Sequence, residues 1–325
     1  TKHKYEALCR QEISVVSNSL PFNIKAQSRL YCYYKMDRPY LRLAPFKVEI
    51  ARQNPLAVLF HDIMSDEEAR IIEMLAVPKA CLSLCFVLHY CIFILKRQER
   101  EKIEKWVIVF TGKIELFQLN RATVHNAVTG KLETASYRIS KSAWLRSTEH
   151  EIVNRIDKRL DLATNLEVET AEELQIQNYG VGGHYEPHLD CAKSDDDSAF
   201  KELGTGNRIA TILIYVFMTE PEIGGGTVFI DLKTKVPCTK NAALFWYNLM
   251  RSGEVDMRTQ HAACPVLTGI KWVTNKWFHE RGQEWRRPCG LNQFDQERYV
   301  GDLGAPEPKH HLNIRSEAKK PKKMR

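Results

Sequence analysis

Gly183-His184-Tyr185-Glu186-Pro187-His188-Leu189-Asp190 is the stretch on which the reading of this chain turns. On a strand, residues two apart share a face. His184, Glu186, His188 and Asp190 are therefore expected to point the same way. His188-x-Asp190 offers an imidazole and a carboxylate side by side, and His184-x-Glu186 offers the same pair. Spacing does not choose between them. One further histidine from a distant strand would complete a two-histidine, one-carboxylate set, which leaves positions open on iron(II). His261, in Thr259-Gln260-His261-Ala262-Ala263-Cys264, is the natural candidate.

Around this stretch the chain runs in short apolar or alternating segments: Leu174–Tyr179, Tyr185–Asp190, Ile209–Phe217, Thr227–Ile230, Ala242–Tyr247, Ala263–Leu267 and Trp272–His279. Glycine-rich turns separate them, at 180–183, 204–206, 224–226, 252–253 and 268–269. Many short strands with such turns predict a sandwich or barrel. On the last segment Lys271, Val273, Asn275, Trp277 and His279 share a face. Turned inward, that face puts a lysine in a β-core, where it needs an anion. Turned outward, it leaves lysine and histidine in water.

Upstream, Leu56–Phe60 reads as a strand. Ser65 and Glu68 form a capping box ahead of a helix carrying Ala69, Ile72 and Leu75 on one face. Thr148-Glu149-His150-Glu151 reads as a second capping box, opening a helix with Ile152, Ile156 and Leu160 at four-residue spacing. The expected class is α+β, mainly β. Residues 1–64 are a lead-in with first strands, 65–172 a helical support region, 173–289 the β-core and 290–325 a disordered basic tail.

The chain has 325 residues, 44% hydrophobic and 27% charged, which is ordinary globular composition and excludes collagen or wholesale disorder. Six of its seven net positive charges lie in residues 309–325, so a basic body that binds nucleic acid is not indicated. The sequence opens TKHKYEALCRQE, without an initiator Met or an apolar leader, and reads as a fragment or processed form. Ala80–Leu95 is apolar but shorter than a spanning helix, so no stable membrane span is expected. Nine cysteines contain no C-x-x-C. Cys9 with Cys32 and Cys264 with Cys289 are candidate bridges, and nine buried thiols are the alternative that spacing leaves open.

The runs Tyr179–Asp190, Phe200–Thr211, Phe245–Leu249, His261–Leu267 and Lys271–Gln283, in this order and spacing, resemble the active-site region of the collagen prolyl 4-hydroxylase alpha-subunit family. The match covers about 1–79 and 120–289. The resemblance implies a double-stranded β-helix, or jelly-roll, dioxygenase that uses iron(II), 2-oxoglutarate, oxygen and L-ascorbate to hydroxylate C4 of proline in X-Pro-Gly sequences. It implies that His188, Asp190 and His261 hold iron and that Lys271 pairs the distal carboxylate of 2-oxoglutarate. It further implies that Tyr179 and Thr211 hydrogen-bond that cosubstrate, and that Tyr185 and Trp277 border the substrate proline. His279 would be the catalytic histidine, assisting cosubstrate binding or its decarboxylation. Family members commonly have Gln where this chain has His184, which argues against His184 as a ligand.

The resemblance also implies the two disulfides Cys9–Cys32 and Cys264–Cys289, residence in the lumen of the endoplasmic reticulum, and a hetero-oligomer with protein disulfide isomerase. Three departures bear on it. The family's dimerisation and peptide-binding domains lie outside this sequence, so long procollagen chains are expected to bind poorly. Residues 80–119 interrupt the family pattern, as a surface insertion, a membrane-contacting hairpin or translated intron, the last being favoured. Residues 290–325 run past the family's usual end. Alternative functions are hydroxylation of another proline-rich secreted protein, or an inactive subunit that binds protein disulfide isomerase.

Overall fold

A computed structural model of the chain describes residues 2–12, 30–77, 120–125, 132–134, 136–193, 200, 204–218, 224–293, 295 and 297. The apolar segment 80–95, the whole 80–119 block and the basic end of the tail lie outside the described residues. Among those described, no helix is long and apolar enough to cross a membrane.

Among the described residues the α-helices are α1 (Lys2–Cys9), α2 (Asp66–Ala76) and α3 (Glu151–Thr164). The early strands are β1 (Cys32–Lys35), β2 (Phe46–Gln53), β3 (Leu56–His61), β4 (Asn120–Arg121), β5 (Thr123–His125), β6 (Leu132–Thr134), β7 (Arg138–Ile139) and β8 (Lys141–Leu145). The later strands are β9 (Leu174–Tyr179), β10 (His184–His188), β11 (Arg208–Met218), β12 (Thr227–Phe229), β13 (Thr234–Val236), β14 (Ala243–Tyr247), β15 (His261–Ala263) and β16 (Lys271–His279).

The described strands build two main antiparallel sheets, and β5 and β6 pair separately. The larger has the order β1-β2-β3-β14-β11-β16-β9-β8-β4, and the smaller β13-β12-β15-β10-β7. This is the mainly β, jelly-roll arrangement expected. Helices do not simply precede it, however. β2 and β3 pair onto β14, and β8 pairs onto β9, so the larger sheet reaches well before residue 173.

Alternation along β11 sorts its side chains between two cores. Ile212 and Ile214 face the helix layer, with Ile72 of α2 and Ile156 and Leu160 of α3. Leu213 and Tyr215 face the space between the sheets, with Phe229, Leu244, Trp246 and Val273. A fully buried Ile or Leu in either layer contributes about 1.5–3 kcal/mol. All nine residues of β16 are buried, so the solvent-facing alternative for its lysine face does not hold.

The Ser65–Glu68 capping box forms on α2 as read. On α3 the cap differs: His150 is the N-cap, and its Nδ1 accepts from the backbone N–H of Ile152 at 3.1 Å. Thr148 lies too early to cap, because a turn over 147–149 intervenes.

The disulfide expectation is corrected. Cys9 pairs with Cys264, while Cys32 and Cys289 are exposed thiols. The cause is the docking of α1. Tyr5 and Leu8 pack on the outer face of the smaller sheet with Val228, Ile230, Ala262 and Cys264. On a helix, residues three and four apart share a face, so Cys9 joins Tyr5 and Leu8 and meets Cys264. Cys32 sits on β1, at one end of the order of the other sheet.

Candidate metal centre

Three side chains converge between the sheets. Among the described residues, His188, Asp190 and His261 are the group that offers metal ligands, with their ligand atoms within 4.8 Å of one another. β10 and β15 are adjacent and antiparallel, and their pairing puts His188 opposite His261. Asp190 follows two residues beyond the end of β10.

The His184-x-Glu186 ambiguity is resolved by a bulge. Tyr185 pairs with Ala263 and His188 with His261, so β10 spends one more residue than β15 over the same span. The extra residue breaks strict alternation. Pro187, which has no N–H to give a ladder, falls inside this irregularity. Tyr185 and His188 consequently share a side, with rings stacked at 3.5 Å and 15°. Glu186 instead lies 3.9 Å from Lys2 of α1, and His184 Nδ1 bonds the carbonyl of Gly182 at 2.9 Å. The turn that starts the strand is tight: a Cβ on Gly183 would meet the Gly180 oxygen at 2.8 Å.

Carbonyl oxygens fix the tautomer of both histidines. His188 Nδ1 lies 2.8 Å from the Glu186 carbonyl, and His261 Nδ1 lies 3.0 Å from that of Thr259. A carbonyl only accepts, so each Nδ1 carries the proton and each Nε2 is left as a lone-pair donor. The two Nε2 atoms stand 3.6 Å from Asp190 Oδ1 and Oδ2 respectively. That is too long for a hydrogen bond. Two donors at about 2.1 Å from one cation can lie up to about 4.2 Å apart, so 3.6 Å suits a shared metal.

Electrostatics agree. Burial pulls the His261 imidazole down to about 4, against the upward pull of Asp190, so it is neutral at physiological pH. Burial pushes the Asp190 carboxyl up, but the facing His261 and His188 outweigh it and hold it well below the usual range. Neutral imidazoles and an ionised carboxylate are the forms that bind a metal. Thr211 Oγ1 donates to Asp190 Oδ2 at 2.8 Å and accepts from Asn248 Nδ2 at 2.9 Å. Thr211 thus spends its one proton on the carboxylate.

Lys271 lies on the inner face of β16, paired in register with Tyr179 of β9. It is 1% exposed, and Nζ donates to the Gly225 carbonyl at 2.5 Å. The Tyr179 ring centroid is 5.2 Å from Nζ. Among the described residues no carboxylate pairs with this cation. Burial pulls its pKa down, as expected of an ammonium without a counter-ion.

On another side of the metal-ligand set, the Arg208 guanidinium lies 4.1 Å over Trp277 and donates to the Asp190 carbonyl at 3.2 Å. Arg208 Nη2 also donates to Glu172 Oε2 at 2.8 Å, and Glu172 Oε1 meets His279 Nε2 at 3.0 Å. Burial alone would raise Glu172, but Arg208 and His279 hold it at about 2. His279 is fully buried and touches Glu172, Thr205 and the Gly206 carbonyl, and it is not part of the metal-ligand group.

The sequence reading missed Glu172, Arg208 and Asn248. It also missed a polar chain on the inner face of β9, where Tyr179 donates to Gln177, Gln177 to Gln175, and Arg138 to Gln175. The signal was the alternation in Leu174-Gln-Ile-Gln-Asn-Tyr179, which looks like a solvent face until a second sheet covers it.

Residues 174–279 match the model of the 2OG-Fe(II) oxygenase superfamily. The chain is 53% identical over 95% of its length to prolyl 4-hydroxylase subunit alpha-1 of Caenorhabditis elegans, covering 47% of that protein. It is 46% identical over 90% of its length to subunit alpha-1 of Homo sapiens, again covering 47%. It therefore spans about half the length of the curated relatives it matches. Among solved structures, the viral collagen prolyl hydroxylase of Paramecium Bursaria Chlorella virus-1 covers 68% of this chain and 94% of its own, at 21% identity and a TM-score of 0.45. With His188, Asp190 and His261 inside the matched segment, and with half of its residues shared with the worm subunit, the chain is a homologue of the prolyl 4-hydroxylase alpha subunits that carries a 2OG-Fe(II) oxygenase domain.

Proposed function

We propose that this chain is a procollagen-proline 4-dioxygenase, hydroxylating C4 of proline in X-Pro-Gly sequences with 2-oxoglutarate and oxygen, and with L-ascorbate in support. The observation that carries the reading is the pairing of two features in one inter-sheet space. One is a His188–Asp190–His261 set in which His261 is neutral and Asp190 ionised. The other is a buried lysine with no acid of its own among the described residues.

His188, Asp190 and His261 would hold iron(II), and Lys271 would receive the distal carboxylate of 2-oxoglutarate. When bound, these groups supply the oxidation that replaces a C4 hydrogen by hydroxyl, with succinate and carbon dioxide as coproducts. The chain's own residues bind, orient and exclude water. Thr211, anchored by Asn248, fixes the rotation of the Asp190 carboxylate. Tyr179 packs beside Lys271 and borders the cosubstrate. With its one proton on Asp190, Thr211 has none to give 2-oxoglutarate, which offers only acceptors, so in this reading it serves the carboxylate and not the cosubstrate. Tyr185, stacked on His188, and Trp277, under Arg208, form apolar walls for the proline ring. His279 acts through Glu172 and Arg208 as a positioning residue.

The Cys9–Cys264 disulfide supports a secretory compartment. We place the protein in the lumen of the endoplasmic reticulum, in a hetero-oligomer with protein disulfide isomerase and acting on procollagen-type peptides. The test is 2-oxoglutarate decarboxylation with iron(II) and ascorbate, with and without a (Pro-Pro-Gly) repeat peptide. Peptide-stimulated succinate together with 4-hydroxyproline is expected. No turnover from folded, iron-loaded protein would overturn the enzyme reading in favour of an inactive, partner-stabilising subunit.

A further inference from the structure

Cys238 has no part in the chemistry above, yet it sits beside the buried cation. Its thiol, which is not in a disulfide, donates to the Gly225 carbonyl at 2.9 Å, the same oxygen that Lys271 Nζ reaches at 2.5 Å. Sulfur and ammonium therefore converge on one point from two strands' ends. Cys238 is 9% exposed and packs in the inter-sheet core with Tyr179 and Tyr215. The Tyr215 ring centroid is 5.8 Å from Nζ, and its hydroxyl donates to Thr227 at 2.9 Å.

The backbone behind this point has no slack. A Cβ on Gly224 would meet the Pro265 oxygen at 2.2 Å, and Gly225 is itself in the left-handed region at φ +67°. The Gly225 carbonyl is thus held in place. A carboxylate arriving at Lys271 comes to the meeting point of Nζ, the carbonyl and Sγ, and the side chain that is free to vary in size there is Cys238.

We propose that Cys238 sets the depth of the dicarboxylate pocket, and so the chain length of the 2-oxo acid that this protein accepts. The proposal rests on the cosubstrate reading of Lys271. Cysteine at this position stops the ligand one carbon short of what alanine would admit. Its one S–H proton is spent on the Gly225 carbonyl, so Cys238 meets the bound carboxylate by contact and not as a donor.

The experiment is calorimetric binding of 2-oxoglutarate and of 2-oxoadipate, one methylene longer, to manganese(II)-loaded full chain. A methylene in a fitted pocket is worth roughly 10- to 200-fold, so the wild type should favour 2-oxoglutarate by about that factor. Cys238→Ala should shrink the preference about fivefold or more, chiefly by tighter 2-oxoadipate binding. Cys238→Ser, which keeps a heavy atom and a donor, should hold the wild-type ratio. Cys238→Val, which adds bulk, should weaken 2-oxoglutarate about tenfold. An unchanged ratio in Cys238→Ala, or unchanged 2-oxoglutarate affinity in Cys238→Val, overturns the proposal. Lys271→Ala in the same assay separates the two levels. If it still binds 2-oxoglutarate like the wild type, the cosubstrate reading itself falls and the depth proposal falls with it.

Discussion

Strand β16 carries two buried lysines on opposite faces of one sheet. Lys276 turns to the helix layer, 3% exposed, and forms an ion pair with Asp157 of α3 at 2.9 Å. Lys271, five residues earlier, turns between the sheets and meets the Gly225 carbonyl. An odd separation on a strand puts two residues on opposite faces. The cost of burying a charge is the same in kind on both faces, several kcal/mol per ion. On the helix side the chain supplies the counter-charge itself. On the barrel side no described residue does. A charge balanced within the fold holds the fold together, whereas a charge left for a ligand makes a site.

The largest effects come from truncating each lysine in turn. Lys271→Ala should weaken 2-oxoglutarate about a hundredfold, since losing one partner of a buried charge pair costs about 2–5 kcal/mol. Its thermal stability should change little, because it removes an unbalanced cation. Lys276→Ala should do the reverse. It leaves Asp157 buried and unpaired, at a cost of about 3–5 kcal/mol in folding, with 2-oxoglutarate affinity unchanged. Denaturant melts and 2-oxoglutarate titrations on both variants check this, and equal losses in both measurements would erase the distinction.

A slightly smaller effect tests the charged network on the barrel side. Glu172 is held at about 2, and its ordinary value is 4.5, so its ionised form stabilises the fold by on the order of 3 kcal/mol above pH 4.5. A depressed carboxylate loses that contribution as pH falls from 4.5 through 2. Glu172→Gln should therefore be less stable than wild type at neutral pH, and the gap should close toward pH 2. Melting curves collected down the pH scale would show it, and a gap independent of pH would mean that shape rather than charge is what Glu172 supplies.

The smallest effect concerns the support of a metal ligand. Thr211→Val keeps the volume but removes the hydrogen bond to Asp190. Loss of such an orienting contact typically costs about 10- to 100-fold in metal affinity. Equilibrium dialysis against manganese(II) reads this directly. Affinity equal to wild type would show that the carboxylate holds its rotation without Thr211.

Much of the site was legible because strands write their faces into the sequence with a period of two. That period put Lys271, Val273 and Trp277 on one face, and β9, β11 and β14 within a residue or so of their observed limits. The residues that escaped are those joined to the site by contact alone. Glu172, Arg208 and Asn248 carry no spacing that ties them to His188. β13, three residues long, has too short a pattern to register. Thr148 looked like a cap because its chemistry suits one, but the intervening turn gave the position to His150.

By itself the sequence determined much of the strand content, the capping of α2, and the presence of two His-x-acid pairs in one short stretch, because each depends on residue type at short, regular spacing. The tertiary structure alone decided three things. A bulge at Tyr185–His188 selected one His-x-acid pair over the other, since one extra residue turns a strand's faces. The docking of α1 joined Cys9 to Cys264 rather than to its neighbour in sequence. Packing on the two faces of β16 made Lys276 a brace against α3 and left Lys271 buried with no described acid, since burial depends on what is packed opposite and not on the strand that carries it.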